Sequence, residues 1–488
     1  MEGPARRQGQ ARLRPGRGLL PHGLLQRHEH ARPRREAVRL IPAPHPEPGP
    51  ALAAPDSGVR PGPVRESGAA AAARAVRLTP PRPGPRGSIP PQVERPAPPE
   101  VAVSPRIAAL GSPAELWREA AGAGTPLIEE IPGDPAHRIV TFLWRDPDPA
   151  ADVVLVVNKI TDAGALDAAR MEHVPGTDVW HRSYRLRADW HGTYRIAPRS
   201  PGGMGPAAER MLARMTAAGS RVPRADLERW CEAVERAAPD PLNRRPWPGA
   251  GSVAALPDAP ARDWHGNRGT GRGRVTERRV WSARLGNERP VWTYEPEEEP
   301  AGVVLLFDGE AYAPLLRPAL DDLIADGALP PLRFVMPSAV DLPTRVRELA
   351  CDPGFADFAA DLLPEGFPPG RVVVAGSSLG GLTAAYCALR DPARFGNAIS
   401  LSGSFWWPNG PEPEWLTGAV SALPPVPARF RLGLGAQEWA LRDATFRMRD
   451  ALAASGHDVA LREYNGGHDY YCWRACLVAL LGDLTASW

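Results

Sequence analysis

"VVVAGSSLGG" occupies residues 372–381, and its reading decides the fold. Small and aliphatic residues run into two serines with glycines on both sides. A nucleophile elbow carries the pattern G-x-S-x-G at a sharp turn from strand to helix. One register fits, Gly376-Ser377-Ser378-Leu379-Gly380. It makes Ser378 the nucleophile and Ser377 the variable spacer. Five residues alone match by chance, so the flanks matter. "RVVVAG" (371–376) reads as a buried strand, and "GLTAAYCALR" (381–390) begins a helix directly after the turn.

Working outward, further apolar runs stand at 302–310, 333–340, 397–405 and 429–435, with helical stretches at 314–325 and 355–363 between them. Continuous apolar strands alternating with helices indicate a parallel sheet covered on both faces. A hairpin over 274–296, turning at Gly286-Asn287, opens this unit. Upstream the pattern changes. "RIVTFLWRD" (138–146) and "DVVLVVNKI" (152–160) read as strands. Residues 178–198 hold two more, with Trp180, Tyr184 and Leu186, then Trp190, Tyr194 and Ile196, in alternation. Short strands at this spacing suggest a β-sandwich, with an amphipathic helix over 225–237. The expected fold class is α/β: an α/β-hydrolase catalytic domain over 263–488, preceded by a β-sandwich with a helical insert over 101–262.

Residues 1–100 differ in kind. They hold 21 of the 59 prolines, and 17 arginines against 8 acidic residues, a net of +9. The whole chain of 488 residues carries +2, so the remainder carries −7. Without periodic apolar stretches this extension cannot bury enough surface to offset ordering, and it reads as disordered. Such a tail suits a nucleic-acid contact, but the favoured reading is a solvated segment with no nucleic-acid partner. No apolar run reaches the roughly 18 residues of a membrane helix, so no membrane partner is expected. Five scattered cysteines (231, 351, 387, 472 and 476) argue against a disulfide framework and suit a reducing cytoplasm.

Serine needs a base to take its proton, and in this fold the acid and then the histidine follow it in the chain. His468, in "YNGGHDYYCW" (464–473), sits on a glycine-rich loop before the last helix. His457 lies at an ordinary helix-to-strand turn and is the weaker choice. Glu438, just beyond the strand 429–435, is favoured as the acid, with Asp443 as its competitor. Asp469, next to the histidine, points elsewhere. An oxyanion hole needs backbone N–H groups aimed at the developing charge. Leu379 supplies one, and Gly309 or Glu310 the other. Arg345 and Arg347 face an anionic substrate or, alternatively, begin a solvated helix that pairs with Glu348. Trp406 and Trp407 stand at a strand end; such aromatics commonly pack in a core, but a strand end in this fold faces the active-site crevice.

These residues resemble the enterochelin (ferric enterobactin) esterase family. "GSSLGGLTAAYCALRDPARFGNAISLSGSFWW" is similar to that family's elbow and following strand, and "RVRELACDPGFADFAADLLP" to its Arg-x-x-Glu-Leu segment. "LLFDGE" and "GGHDYYCWRACL" resemble its oxyanion and histidine loops. "TFLWRDPDP", "GTDVWHRSYRLRADWHGTYRI" and "DPLNRRPWPG" resemble its own N-terminal domain. The likeness covers roughly 105–488 and leaves the first hundred residues without a counterpart. It implies a cytoplasmic serine esterase that opens the tri-serine lactone of a ferric catecholate siderophore to release iron. Ser378, Glu438 and His468 would form the triad, and Arg345 with Glu348 would belong to the substrate cleft. The upstream domain would be an immunoglobulin-like sandwich. No metal or cofactor is expected, since iron arrives with the substrate. The alternatives are a general esterase-D-type carboxylesterase or acyltransferase, a non-catalytic siderophore-binding protein, and a nucleic-acid-associated protein acting through the basic tail.

Overall fold

The computed structural model describes residues 78–82, 87–148, 151–199, 202–247, 251–260 and 272–488. In its upstream part eight strands follow in chain order: β1 Leu127–Glu130, β2 His137–Arg145, β3 Val153–Val157, β4 Glu172–His173, β5 Val179–Arg187, β6 His191–Pro198, β7 Pro246–Trp247 and β8 Gly251–Ala255. They pair antiparallel into two sheets, ordered β1-β2-β5-β4 and β3-β6-β8-β7. Side chains alternate across a strand, and here the alternation separates two interiors. Val153, Leu155 and Val157 face Phe142, Tyr184 and Tyr194 in the core between the sheets. Val154 points the other way, onto the helices Pro206–Ala217 and Arg224–Arg236, where it meets Leu212, Leu227 and Trp230.

The downstream part is one eight-stranded sheet. Its strands are β9 Arg274–Ser282, β10 Asn287–Glu295, β11 Gly302–Leu306, β12 Leu332–Pro337, β13 Val372–Ser377, β14 Asn397–Leu401, β15 Arg429–Gly435 and β16 Asp458–Tyr464. The order is β16-β15-β14-β13-β11-β12-β10-β9. The six strands from β16 to β12 run parallel, and the β9–β10 hairpin is antiparallel at one edge. β11, β13 and β14 are buried along their whole length. Val303, Leu305 and Val374 pack into one layer with the helices Pro353–Asp361 and Leu379–Arg390. Val304, Leu306, Val373 and Ala375 pack into the other, with the helices Gly309–Ala325 and Tyr470–Thr485. The strand order reverses between β11 and β13. Ligands in such sheets bind beyond the C-terminal strand ends at that point.

The two parts share packing. Val253 and Ala255 of β8 join the second core layer of the parallel sheet. Trp247 meets Tyr471 edge-to-face at 5.1 Å, and the Arg474 guanidinium lies over the Trp247 ring at 5.0 Å.

The N-terminal extension departs from the sequence reading. Residues 1–77 lie outside the described residues, as does the expected domain boundary near 262. From Leu78, however, the chain lies against the body, whereas the sequence reading left it without structure through residue 100. Leu78 is buried in the main core, and its carbonyl accepts from Tyr386 Oη at 3.2 Å. Gly87 O and Ile89 O accept from Asn409 at 3.0 Å each, and Val93 O accepts from Trp439 Nε1 at 3.2 Å. Arg95 pairs with Asp162 at 2.6 Å and stacks on Trp439. Residues 100–102 then line the middle of β5. Proline removes backbone donors but leaves carbonyls. The segment accordingly docks by accepting hydrogen bonds, which a hydrophobicity argument does not register. Burying a leucine is worth about 1.5–3 kcal/mol, and each net hydrogen bond about 1 kcal/mol. A chain starting at residue 101 should therefore melt at least a few degrees below one starting at 78. Equal melting temperatures would contradict this packing.

Candidate active site

Ser378 stands between β13 and the helix Leu379–Arg390, with φ 59° and ψ −120°. A non-glycine residue rarely adopts such a backbone, and outliers of this kind cluster at functional sites. The turn is tight. A Cβ on Gly376 would come within 2.6 Å of the Gly380 backbone, so glycine is required there. The two serines have different environments. Ser377 ends β13 with 0% of its surface exposed. Ser378 is half-buried, and its Oγ lies 3.4 Å from Ser404 Oγ.

Glu438 caps the helix Trp439–Ala454 just past β15 and is 1% exposed. Its Oε2 accepts from Ser402 Oγ at 2.6 Å and from Gly435 N at 2.7 Å. Its Oε1 is hydrogen-bonded to His468 Nδ1. Burial works to raise the Glu438 pKa. The charge and hydrogen bond of His468, with the Ser402 and Gly435 donors, outweigh burial and hold it below the ordinary carboxylate value. Ser402 itself has φ 48° and accepts from Trp473 Nε1 at 2.9 Å. The His468 ring meets Trp473 edge-on at 4.6 Å. With Nδ1 engaged, Nε2 is the ring nitrogen left for proton transfer.

The competitors are occupied elsewhere. His457 is buried at the start of β16, against Phe430, where its Nδ1 accepts from Val426 N at 3.4 Å. That is the N-terminal end of the strand, away from the elbow. Asp443 lies within the helix that Glu438 caps. Asp469 caps the last helix at Cys472 N.

Gly309 and Glu310 begin the helix Gly309–Ala325, five residues before the helical stretch read from sequence at 314–325. Both residues lie in its first turn, and Leu379 opens the helix after the elbow. N–H groups in a first turn lack carbonyls within their own helix, so these three are placed to donate outward. A Cβ on Gly309 would lie 2.2 Å from Met336 O. The Glu310 side chain accepts from Ala339 N at 3.0 Å.

The Arg-x-x-Glu segment is used differently from the sequence reading. Arg345 is half-buried and paired: Nε and Nη2 donate to Asp308 Oδ1 and Oδ2 at 2.6 and 2.8 Å, and Nη2 also to Ser377 O at 3.2 Å. It ties the loop after β11 to the elbow. Glu348 is not at the cleft surface. It is buried, taking hydrogen bonds on Oε1 from Arg289 Nη2 at 2.9 Å and Asn287 Nδ2 at 3.0 Å, while Arg289 Nη1 lies 2.8 Å from Oε2. Arg289 has no exposed surface and lies over Phe355 and Phe358. A buried cation requires a buried anion, and this requirement accounts for Glu348. Arg347 is exposed, 3.5 Å from Glu348 Oε1. Trp406 and Trp407, expected to face the crevice, are 5% and 1% exposed and belong to the core. Trp407 packs on Trp415 and reaches Ser88 of the extension. Sequence reasoning missed Ser402, Asp308 and Arg289. Ser402 follows a strand directly, as Glu438 nearly does, and that position was its only signal. Among the described residues no three His, Cys, Asp or Glu side chains gather as a metal site, and no helix is long and apolar enough to cross a membrane.

A strand–elbow–helix serine, a histidine and a buried glutamate at the C-terminal edge of a parallel sheet define a serine hydrolase of the α/β class. Residues 139–265 match the family model "Enterochelin esterase, N-terminal", and residues 360–484 match the Esterase model. The iron(III) enterobactin esterase of Dickeya dadantii is 35% identical, covering 74% of this chain and 90% of the relative. The iron(III) salmochelin esterase of Escherichia coli O6:H1 is 29% identical, covering 76% of this chain and 93% of the relative. The crystal structure of ferric enterobactin esterase from Salmonella typhimurium superposes with a TM-score of 0.63 at 29% identity, over 76% of this chain and 98% of that one. The chain is a carboxylic ester hydrolase, and it belongs to the enterochelin esterase family.

Glu348 gives a direct check. Removing one partner of a buried pair costs roughly 3–5 kcal/mol. Glu348→Ala should lower the denaturation midpoint strongly and leave KM unchanged. A stable variant with a raised KM would return Glu348 to the substrate cleft.

Proposed function

We propose that this enzyme hydrolyses the ester bonds of a tri-serine lactone carrying an iron-bound catecholate siderophore, and so releases iron in the cytoplasm. The observation that carries this reading is the joining, in one chain, of the enterochelin-specific N-terminal match to a serine at a strand–helix elbow and a His468–Glu438 pair. A solved relative from Shigella flexneri, in the presence of enterobactin, has a TM-score of 0.62 at 28% identity over 77% of this chain. Five free, buried cysteines agree with a reducing compartment. The upstream sandwich is read as immunoglobulin-like.

In this reading His468 Nε2 takes the Ser378 proton as Oγ attacks a seryl ester carbonyl. The oxyanion receives hydrogen bonds from Leu379 N–H and from Gly309 or Glu310 N–H. His468 returns the proton to the departing serine alkoxide. In the first cleavage that alkoxide remains tethered, because a lactone opens without losing an atom. Water, deprotonated by His468, then frees the acid and restores Ser378. Glu438 holds the histidine tautomer and stabilises the imidazolium.

A ferric tris-catecholate carries three negative charges, while residues 101–488 are net negative. Attraction must therefore be local. Arg345 is neutralised by Asp308, so the exposed Arg347 is the better source within that segment.

Ser378→Ala should retain less than a few per cent of wild-type turnover. Glu438→Gln should lower kcat by about 10⁴-fold, as loss of the orienting acid does in other triads. Hydrolysis of a ferric catecholate trilactone, read by product mass, should exceed that of p-nitrophenyl butyrate in kcat/KM. A preference for the simple ester by orders of magnitude would favour the general esterase reading.

A further inference from the structure

The catalytic histidine loop is gripped from the upstream domain, at a residue with no place in the triad. Asn158 follows β3. Its Oδ1 accepts from His468 N at 2.7 Å and its Nδ2 donates to His468 O at 3.0 Å. One carboxamide thus brackets the histidine's backbone, as a neighbouring strand would. A carboxamide offers an acceptor and a donor side by side on one planar group. The fit is close: a Cβ on Gly467 would lie 2.4 Å from Asn158 Oδ1.

Asn158 is itself held. Its N–H donates to Thr193 O on β6 at 3.2 Å. The chain next to it is fixed by Thr161, whose Oγ1 accepts from Val157 N at 2.8 Å, and by Lys159 at φ 59°. Thr193 holds the other side of the histidine: its N–H and Oγ1 both donate to Asp469 Oδ2 at 3.0 Å. The loop is also tied at its start, where His191 N donates to Asn465 O at 3.0 Å and Asn465 Nδ2 to Asp189 Oδ1 at 2.7 Å. β3 and β6 are neighbours in one sheet. That sheet therefore holds the segment from Asn465 to Asp469.

We propose that Asn158 is a positioning residue for His468, so that the upstream domain sets the geometry of the catalytic base. The proposal rests on the triad reading above. It does not depend on which ester is cleaved. Fixing the peptide of His468 fixes its Cα–Cβ direction, and with it the line from Glu438 through the ring toward Ser378. A misplacement of about 1 Å can cost roughly 10²-fold in rate.

The test uses the full-length enzyme, a fluorophosphonate probe, p-nitrophenyl butyrate and a ferric catecholate trilactone. Asn158→Ala should lower the labelling rate of Ser378 by about 10- to 100-fold. It should lower kcat for both esters by the same factor and leave KM within about twofold, since a positioning defect acts on the chemical step. A folded Asn158→Ala enzyme labelled at the wild-type rate overturns the proposal. So does a loss confined to KM, or one explained by the unfolded fraction. Should Asn158→Ala fail to fold, Asn158→Asp decides. It keeps the acceptor for His468 N–H and lacks the donor for His468 O, and wild-type labelling of that variant overturns the proposal equally. No labelling of wild-type Ser378 overturns the triad and this proposal with it. Wild-type labelling without trilactone cleavage overturns the substrate reading alone.

Discussion

The buried carboxylate of Glu438 is the constraint around which the site is built. A carboxylate with 1% exposure persists as an anion only when its oxygens are satisfied. Ser402, Gly435 and His468 do this, and each in turn is fixed by something else. Ser402 adopts a positive φ at the end of β14 and is held by Trp473. Gly435 ends β15. His468 is held through its backbone by Asn158. Two strands, the last helix and the upstream sandwich all bear on one carboxylate.

Two arginines show how charge is used away from the chemistry. Arg345 with Asp308 ties the loop after β11 to the elbow, joining the two helix starts at Gly309 and Leu379. Arg289 with Glu348 braces the β9–β10 hairpin against the helix Leu342–Glu348. The planar guanidinium suits both tasks, because it donates in a fork of fixed geometry. Neither cation is spare, so attraction of an anionic substrate falls to charges nearer the surface.

Much of this was legible in the residues, for definite reasons. The strand, elbow and helix share one short stretch, and the glycines allow only one register, so Ser378 could be read directly. Glu438 and His468 follow strand ends, where α/β catalytic groups stand. The sandwich core followed from alternation at Trp180, Tyr184, Trp190 and Tyr194, all of which lie in it. What escaped were partners far apart in sequence. Nothing local to Glu348 reveals Arg289, 59 residues away, and nothing near Asn158 reveals His468, 310 residues away. Trp406 and Trp407 were misjudged because a strand end was equated with exposure, whereas both lie in the core, Trp407 against Trp415 and Ser88. The described part of the extension was misjudged because docking by carbonyls needs no apolar pattern.

The central claim is that Ser378 becomes acylated by a catecholate trilactone. Rapid-quench mass spectrometry of the wild-type enzyme mixed with that substrate tests it most directly. Ring opening expels no fragment, so the account requires an adduct of the full trilactone mass, located on the elbow peptide at Ser378. A time course in which product forms with no such adduct, or with one on another residue, would contradict it.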